Sequence, residues 1–415
     1  MKTIIGVVVA LMAATLMSPA AVAAPVLSAD SASETRADQS LSLRVAVKST
    51  ETVAYGGPDG IGDLTVAHGA VRDDAGRAAG SMTMIMRVIS VRDQGSQVMQ
   101  DTQVQVRLGR GQIFAQAVAA YSSKGDSQGP RLMSVTGGTG AYATAHGTLK
   151  VTGSGKDLRL AYDISVSEGL KTSTMKFSDL TAKRVKGDAK AGIGNVILTR
   201  AAKGKASYVS VATRVGAAEG RGIQSTDIQV FTADGSIFGR TVVQHGKGHK
   251  AGHVYAVLGG TGSQKGVRGE MLLSEDGRTL TLRLLGASGK ATLTEWWEDN
   301  GDGVEELPIV GATFTGLYGK MYEGDDGAKT IGHFYVTRMV YDQVGGVTPV
   351  VTMLEQDFGD GTMIISGITL ATGVGGKAVT RPIVGGTGAY QDADGQVSSM
   401  EEPSGLWKKQ GRFWR

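Results

Sequence analysis

The chain has 415 residues, of which 62 are glycine, 8 are proline and none is cysteine, and its formal net charge is +4 at pH 7. Glycine destabilises helix interiors, so this composition excludes a helical bundle or solenoid and favours a protein rich in turns. The small, dispersed charge excess gives no basis for a nucleic-acid partner, and the lack of cysteine excludes disulfides and thiol chemistry.

The first 40 residues predict an export signal followed by an unstructured segment. Lys2 precedes an apolar stretch over residues 4–17, and small residues follow at 21–24, which is the pattern of a cleavable signal peptide. The stretch is shorter than the ~20 residues that span a bilayer, so no stable membrane insertion is expected. We predict a signal peptide over 1–23, a flexible leader over 24–40, and a secreted or periplasmic mature protein.

The remainder of the chain contains one unit three times. The tetrapeptide Gly-Gly-Thr-Gly begins at Gly137, Gly259 and Gly385, and another glycine follows each copy, at Gly147, Gly269 and Gly395. A second landmark, a glycine followed by one polar and two apolar residues, precedes the copies by 26, 24 and 24 residues, at Gly111, Gly235 and Gly361. These separations divide the chain into units over 41–170, 171–290 and 291–415.

Each unit has the residue pattern of antiparallel strands. Val104, Val106 and Leu108 alternate with polar neighbours, which places one set of side chains on each face of a strand. Asp-Gly and Gly-Gly pairs recur at intervals of 8 to 15 residues, as hairpin turns require. We therefore predict an all-β chain of three tandem antiparallel barrels of the eight-stranded type, because closure removes exposed strand edges.

The tetrapeptide region resembles the barrel family of plant dirigent proteins and allene oxide cyclases. Those proteins carry an apolar-Gly-Gly-Thr/Ser-Gly-x-aromatic segment, matched here over 135–142 and 384–390, whereas the middle unit has Gln264 in place of the aromatic residue. Family members are typically trimers of single barrels, each with an apolar cavity. The resemblance therefore implies a monomer whose barrels pack around an internal pseudo-threefold axis; barrels strung separately along the chain are the alternative.

The resemblance does not extend to the chemistry of the cyclases. Gly62-Asp63-Leu64 resembles the Gly-Asp-Leu that opens a long strand in cyclases, but the Pro and Asn that hold a catalytic water there are absent from residues 65–69. Allene oxide is therefore not the expected substrate.

In the first unit, Asp63, Asp101 and Arg87 are candidate catalytic residues. A buried carboxylate has a raised pKa and can act as a general acid, whereas beside arginine it stays ionised and stabilises a developing cation. The candidate ligand-binding residues of this unit are His68, Met82, Met84 and Met86. The alternative interpretation places each carboxylate in a turn or on a solvent-facing strand.

In the third unit, two adjacent predicted strands carry further polar residues. Glu355 and Asp357 share a face because they are two residues apart, and Arg338 is expected to oppose them across the sheet. Glu355 and Arg338 are candidate catalytic residues, and Tyr335 and Asp357 are candidate ligand-binding residues. An exterior, salt-bridged face is the alternative.

Two motifs that resemble metal sites favour other interpretations. His245, His249 and His253 are separated by glycines that argue against a helix, so we expect a solvated hairpin loop. Residues 298–303 resemble the start of a calcium loop, but Ile309 stands where the bidentate Glu belongs, which favours an acidic turn. We predict neither a metal nor a cofactor, and no Gly-x-Ser-x-Gly or Walker motif supports hydrolysis or nucleotide binding.

Together these features predict an exported, dirigent- and cyclase-like protein that binds a small apolar or aromatic molecule in a barrel cavity. If it is an enzyme, it promotes or steers a cyclisation or isomerisation without a cofactor, because a small barrel offers a shielded pocket with few polar groups. The alternative is a non-catalytic secreted scaffold that binds a glycan or a cell-envelope component. An inward lining of Met, Ile and Val favours the apolar guest, and inward polar and aromatic residues favour the glycan.

Overall fold

A computed structural model describes residues 36–92, 97–122, 131–187, 195–218, 221–245, 253–287, 291–371 and 378–414. The predicted signal peptide and residues 24–35 of the predicted leader lie outside this range. The first strand begins at Arg36, so residues 36–40 belong to the barrel and not to the leader.

The first sheet is a closed antiparallel barrel of eight strands in chain order. Its strands are β1 (Arg36–Val53), β2 (Leu64–Asp73), β3 (Ala78–Arg92), β4 (Gln97–Leu108), β5 (Gly111–Ser122), β6 (Arg131–Gly140), β7 (His146–Ser154) and β8 (Asp157–Ser167). A 3-10 turn over Pro58–Gly60 precedes β2. The first part of β1 pairs with β8 and the second part with β2, and this double pairing closes the ring.

In the second sheet the counterpart of β1 is split in two. Its strands are β9 (Lys171–Lys176), β10 (Asp179–Val185), β11 (Val196–Lys203), β12 (Ala206–Ala218), β13 (Arg221–Thr232), β14 (Gly235–His245), β15 (His253–Gly262), β16 (Arg268–Leu273) and β17 (Thr279–Leu285). β9 pairs with β17 and β10 pairs with β11. The junction amides of Phe177 and Ser178 donate to the carbonyls of Arg278 and Ala202 at 2.8 and 3.2 Å, which brings the two ends of the sheet together.

The third sheet splits the same strand at the acidic segment. Its strands are β18 (Thr292–Glu298), β19 (Asp302–Ile309), β20 (Ala312–Tyr322), β21 (Thr330–Tyr341), β22 (Thr348–Asp357), β23 (Thr362–Ala371), β24 (Val379–Gly386), β25 (Asp394–Glu401) and β26 (Trp407–Trp414), with a 3-10 turn over Gly388–Tyr390. β18 pairs with both β26 and β20 and so closes the ring, while β19 extends along the rest of β20. The Asp299 carboxylate stabilises the intervening turn by accepting the Gly301 amide at 3.0 Å.

These sheets confirm the prediction of three tandem antiparallel barrels. The interiors of the first two are contiguous apolar clusters, in which Met82, Val106 and Leu160 of the first barrel and Val230 and Leu280 of the second are fully buried. Burial of these side chains drives each barrel to close around its own core.

The three barrels pack around a pseudo-threefold axis, as the resemblance implied. The strands that carry the tetrapeptide, β6, β15 and β24, contact one another pairwise. A second apolar cluster draws buried residues from all three barrels, among them Phe114, Phe238 and Ile364. The barrels therefore form one packed unit and are not strung separately along the chain.

The tetrapeptide glycines serve both the turn and this interface. The fourth glycine of each copy has a positive φ, with values of 62°, 64° and 57° at Gly140, Gly262 and Gly388, a conformation that L side chains rarely adopt. The first glycine of each copy faces the next barrel, where an added Cβ would lie within 3.0 Å of another residue. The clashing residues are Leu258 for Gly137, Ile383 for Gly259 and Ser134 for Gly385.

One hydrogen bond recurs around the axis. In each case a side chain on β4, or on its counterpart β13 or β22, forms a hydrogen bond with the backbone of the next barrel. The three pairs are Gln105 with the Val242 carbonyl, Gln229 with the Ile368 amide and Glu355 with the Val118 amide, at 2.8, 3.0 and 2.6 Å. Glu355 thus occupies the position of a glutamine in the other two barrels, and burial raises its pKa to about 8.

The close approach at Gly259 predicts a specific loss of stability. We expect Gly259→Val to lower the free energy of unfolding by about 1–3 kcal/mol, because the new side chain meets the Ile383 carbonyl and Pro382 of the third barrel. Gly286→Val is the control, since nothing lies within 4 Å of a Cβ there. Urea unfolding of both variants measures the difference, and equal midpoints would contradict the packing of β15 against β24.

The raised pKa of Glu355 predicts a pH-dependent effect of Glu355→Gln. The folded state holds this proton more tightly than the unfolded chain, so the free energy of unfolding falls as the pH rises from 4.5 to about 8. We expect the variant to be more stable than the wild type at pH 9, by at least about 1 kcal/mol, and equally stable at pH 4. Thermal unfolding of both proteins at pH 4 and pH 9 measures this, with exposed Glu401→Gln as the control. If the stability difference between wild type and Glu355→Gln is the same at both pH values, Glu355 is not a buried acid with a raised pKa.

Candidate ligand site in the third barrel

The interior of the third barrel carries polar residues at positions where the other two barrels are apolar or aromatic. Strand register aligns the barrels: Gln356, Val106 and Val230, for example, each lie five residues before the second landmark glycine. We call the following five inward-facing residues the polar set: Glu298, Arg338, Gln356, Arg381 and Lys409. Their counterparts are Val45, Met86, Val106, Met133 and Leu160 in the first barrel and Phe177, Ala212, Val230, Tyr255 and Leu280 in the second.

Glu298 is the centre of the polar set. It is 3% exposed, and its Oε2 lies 2.8 Å from the Lys409 ammonium. The Gln356 side chain donates to its other oxygen, as does the Trp296 indole at 3.4 Å. Lys409 also donates to the Ser399 hydroxyl at 3.2 Å. Four strands therefore hold one buried carboxylate and its lysine in place.

The cations of the polar set influence one another. Burial, together with the charge of Arg338, lowers the pKa of Arg381 to about 10, although Glu298 acts to raise it. Burial is also the main cause of a lowered pKa at Lys409, where Glu298 acts against it and the two arginines reinforce it. These groups therefore share one low-dielectric interior.

One end of this interior is open and the other is packed with rings. A cavity of about 610 Å³ reaches Arg338 and is lined by Glu306, Pro308, Thr313, Thr315, Leu317 and Val340, a size within the usual range for small-molecule sites. At the opposite end the rings of Trp296, Phe358, Tyr390 and Phe413 pack in succession, with centroid distances of 5.6, 4.9 and 6.0 Å. Arg338 is the member of the polar set that lines this cavity.

A second cavity lies outside the barrels. It has a volume of about 490 Å³ and lies between the first and second barrels, where Arg107, Gln112, Thr281 and Arg283 line it. Residues of both barrels line it, so this cavity is a groove between two packed barrels, and Arg283 there pairs with Glu270 of its own barrel.

The structure separates the predicted site residues of the third unit. Arg338 faces inward as part of the polar set and pairs in register with Thr352, so it does not oppose Glu355 as the sequence suggested. Tyr335, Glu355 and Asp357 lie on the outer face, because successive residues of a strand alternate between faces. Tyr335 is three positions from Arg338 along β21, and Glu355 and Asp357 are three and five positions along β22 from Thr352, the register partner of Arg338. Glu355 belongs to the interface with the first barrel, and Tyr335 packs against the Tyr318 ring at 5.0 Å.

Among the predicted residues of the first barrel, the three methionines face the interior. Met82 and Met84 belong to the buried core cluster and Met86 packs against it. They face inward as the prediction of an apolar lining requires, within a core that is filled by neighbouring side chains.

The polar candidates of the first barrel lie in turns or between barrels. Arg87 donates to the Gly62 carbonyl at 3.0 Å and lies 5.6 Å from the Phe314 ring of the third barrel. Asp101 is the register partner of Arg87 and shares its outer face; burial raises the pKa of Asp101 to about 6, although Arg240 of the second barrel acts to lower it.

The remaining two candidates, Asp63 and His68, also make local contacts. Asp63 lies in the turn before β2 and accepts the Tyr55 amide at 2.9 Å. His68 is buried, with its Nδ1 3.4 Å from the Thr83 hydroxyl. Their catalytic and ligand-binding roles, like those of the other candidates, stay predictions.

Sequence reasoning missed four members of the polar set. Glu298 was assigned to the calcium-like segment, Lys409 lies near the C-terminus, and Gln356 and Arg381 were not singled out. The signal was present, because aligning the units on their glycine landmarks shows polar residues replacing apolar ones at inward positions.

Two expectations fall partly outside the described residues. His249 of the histidine triplet lies in the undescribed segment 246–252. Within the described ranges, no group of three or more His, Cys, Asp or Glu residues is placed to hold a metal ion. No helix in the described part of the chain is long and apolar enough to cross a membrane.

Comparison with known proteins adds little. No protein-family model matches the chain, and no curated protein matches it. Among solved structures, a pyocyanin demethylase is similar to 30% of this chain over 99% of its own length, with 24% identity and a TM-score of 0.27. A likeness at this TM-score carries no argument about function.

The Glu298–Lys409 pair predicts a non-additive pair of substitutions. Glu298→Val leaves the Lys409 ammonium buried without its carboxylate, and we expect it to lower the free energy of unfolding by about 3 kcal/mol. The double variant Glu298→Val/Lys409→Leu installs the residues of the first barrel, Val45 and Leu160, and should recover most of that loss. Urea unfolding of the single and double variants measures the coupling, and a double variant no more stable than the single would contradict the pairing.

Proposed function

We propose that the chain is an exported small-molecule-binding protein whose third barrel holds an apolar or aromatic ligand and promotes or steers its cyclisation or isomerisation. The observation that carries this proposal is the polar set, which replaces core residues in one barrel of three. Burying charged groups in a barrel interior is unfavourable for folding unless they are paired. Their concentration in a single barrel beside a cavity is typical of a binding site.

The chain's own residues supply what an intramolecular rearrangement needs. The rings at the closed end provide apolar surface against which a ligand packs, and the barrel wall excludes water. Burial lowers the pKa of Lys409, although Glu298 acts to raise it, so the Lys409 Nζ gives up a proton more readily than an exposed lysine does. Arg338 and Arg381 stabilise negative charge that develops on the ligand.

Kinship with the dirigent and cyclase barrels is part of the proposal. It is supported by the tetrapeptide segments and by their position, since β6, β15 and β24 meet at the pseudo-threefold axis as subunits meet in a trimer. Export is supported by the sequence pattern of residues 1–24.

A non-catalytic glycan-binding role is the second candidate. The interior of the third barrel combines polar residues with aromatic rings, a lining that also suits a sugar. Product analysis separates the two functions. A ligand that is rearranged returns with unchanged mass and altered chromatographic retention, whereas a scaffold returns its ligand unaltered.

Binding of the neutral fluorescent probe N-phenylnaphthylamine tests the proposal. We expect the wild type to bind it with enhanced fluorescence, and Thr315→Trp to weaken binding about tenfold or more, because the indole blocks the opening beside Arg338. Thr281→Trp, which fills the groove between the first two barrels, is the matched control and should bind normally. No binding by the wild type, or a loss caused by Thr281→Trp alone, would overturn the assignment to the third barrel.

A further inference from the structure

We propose that the ligand of the third barrel carries an anionic group, such as a carboxylate, sulfonate or phosphate ester, which is bound by Arg381. This inference rests on the proposed function and specifies the chemical class of its ligand.

The first support is the incomplete pairing inside the barrel. Glu298 is the one carboxylate of the polar set, and it is already bonded to Lys409 and Gln356. Among the described residues, no carboxylate pairs with the Arg381 guanidinium, and its Nε is buried without a hydrogen-bond partner. Arg381 as a whole is half-buried, but a buried guanidinium nitrogen without a hydrogen-bond partner is costly, and an anion on the ligand would supply that partner.

The second support is a pair of unsatisfied polar atoms on β22, two strands from the β24 strand that carries Arg381. Gln356 is fully buried and Thr352 is 2% exposed, and both side chains face the same interior as Arg381. The Gln356 Oε1 and the Thr352 Oγ1 have no hydrogen-bond partner in the described part of the chain. Such groups are uncommon in native proteins and indicate a missing partner.

The three groups specify a ligand. The guanidinium donates to an anion, optionally through two parallel bonds, and the Thr352 hydroxyl adds a donor. The Gln356 carbonyl accepts a hydrogen from a hydroxyl or amine of the same molecule. With the aromatic rings beyond them, the site fits a compact aromatic acid that also bears a hydrogen-bond donor.

The counterparts of Arg381 give the control for this inference. Met133 and Tyr255 occupy its position in the other barrels, and both are buried in apolar clusters. A methionine therefore fits at this position of the barrel. Arg381→Met removes the charge with little change in packing.

Two probes that differ by one sulfonate test the proposal. Anilinonaphthalene sulfonate is the anionic analogue of N-phenylnaphthylamine. We expect the wild type to bind the sulfonate about tenfold more tightly than the neutral probe, and Arg381→Met to abolish this preference while retaining the neutral probe. Arg381→Lys keeps the charge and should retain part of the preference, and exposed Arg412→Met on the outer face should leave it unchanged.

The outcomes separate this inference from the proposed function. If the wild type binds neither probe, the proposed function is overturned and the inference with it. Equal binding of the two probes, or a preference that survives in Arg381→Met, overturns the anionic ligand alone. If circular dichroism shows that Arg381→Met does not fold, Arg381→Lys is compared with Arg412→Met instead. If neither variant has a weaker preference for the sulfonate probe than the wild type, Arg381 does not bind the anionic group.

Discussion

The interior of an eight-stranded barrel is just wide enough for its own inward side chains to fill, and this constraint determines what each of the three barrels does. Where the inward residues are mainly apolar, as around Met82 and Leu160, the barrel is a packed core. Where inward residues are charged, the groups need partners that a small barrel supplies only in part. The third barrel provides one internal ion pair, Glu298 with Lys409, and leaves Arg381 and Gln356 incompletely bonded.

The covalent linkage of the three barrels allows equivalent positions to differ, which three identical subunits do not permit. His146, Arg268 and Asp394 each precede the glycine that follows a tetrapeptide, so a symmetric trimer would bring three like groups together at the axis. Here Arg268 pairs with Asp394, while burial and the charge of Arg268 lower the pKa of His146. The same freedom lets two barrels keep apolar cores while the third carries the polar set and the proposed site.

Much of the fold was predictable because it depends on patterns that are local in sequence. The alternation around Val104 fixes which face of β4 is buried, and the recurrent glycines mark turns that only residues without a Cβ adopt. The second role of the tetrapeptide was not predictable from one copy, because the clash of Gly259 with Ile383 depends on how the barrels pack.

The candidate site was harder to predict than the fold because polar residues are informative only when their direction is known. Arg338 and Glu355 were assigned to one pocket, yet they lie on opposite faces of the sheet, and Glu355 serves the interface. Asp101 and Arg87 were assigned to a pocket, and the structure places them between barrels, where burial raises the pKa of Asp101 to about 6. Lys409 and Arg381 are recognisable only after Leu160 and Met133 are aligned with them.

The central claim is that the third barrel receives the ligand in its interior with an acid group at Arg381. Anomalous diffraction from crystals of the full chain grown with para-bromobenzoate tests it most directly, since the bromine marks the ring and the density shows the carboxylate. We expect one bromine peak inside the third barrel, with the carboxylate within hydrogen-bond distance of Arg381. A peak inside the first barrel, or in the groove beside Thr281, would contradict it.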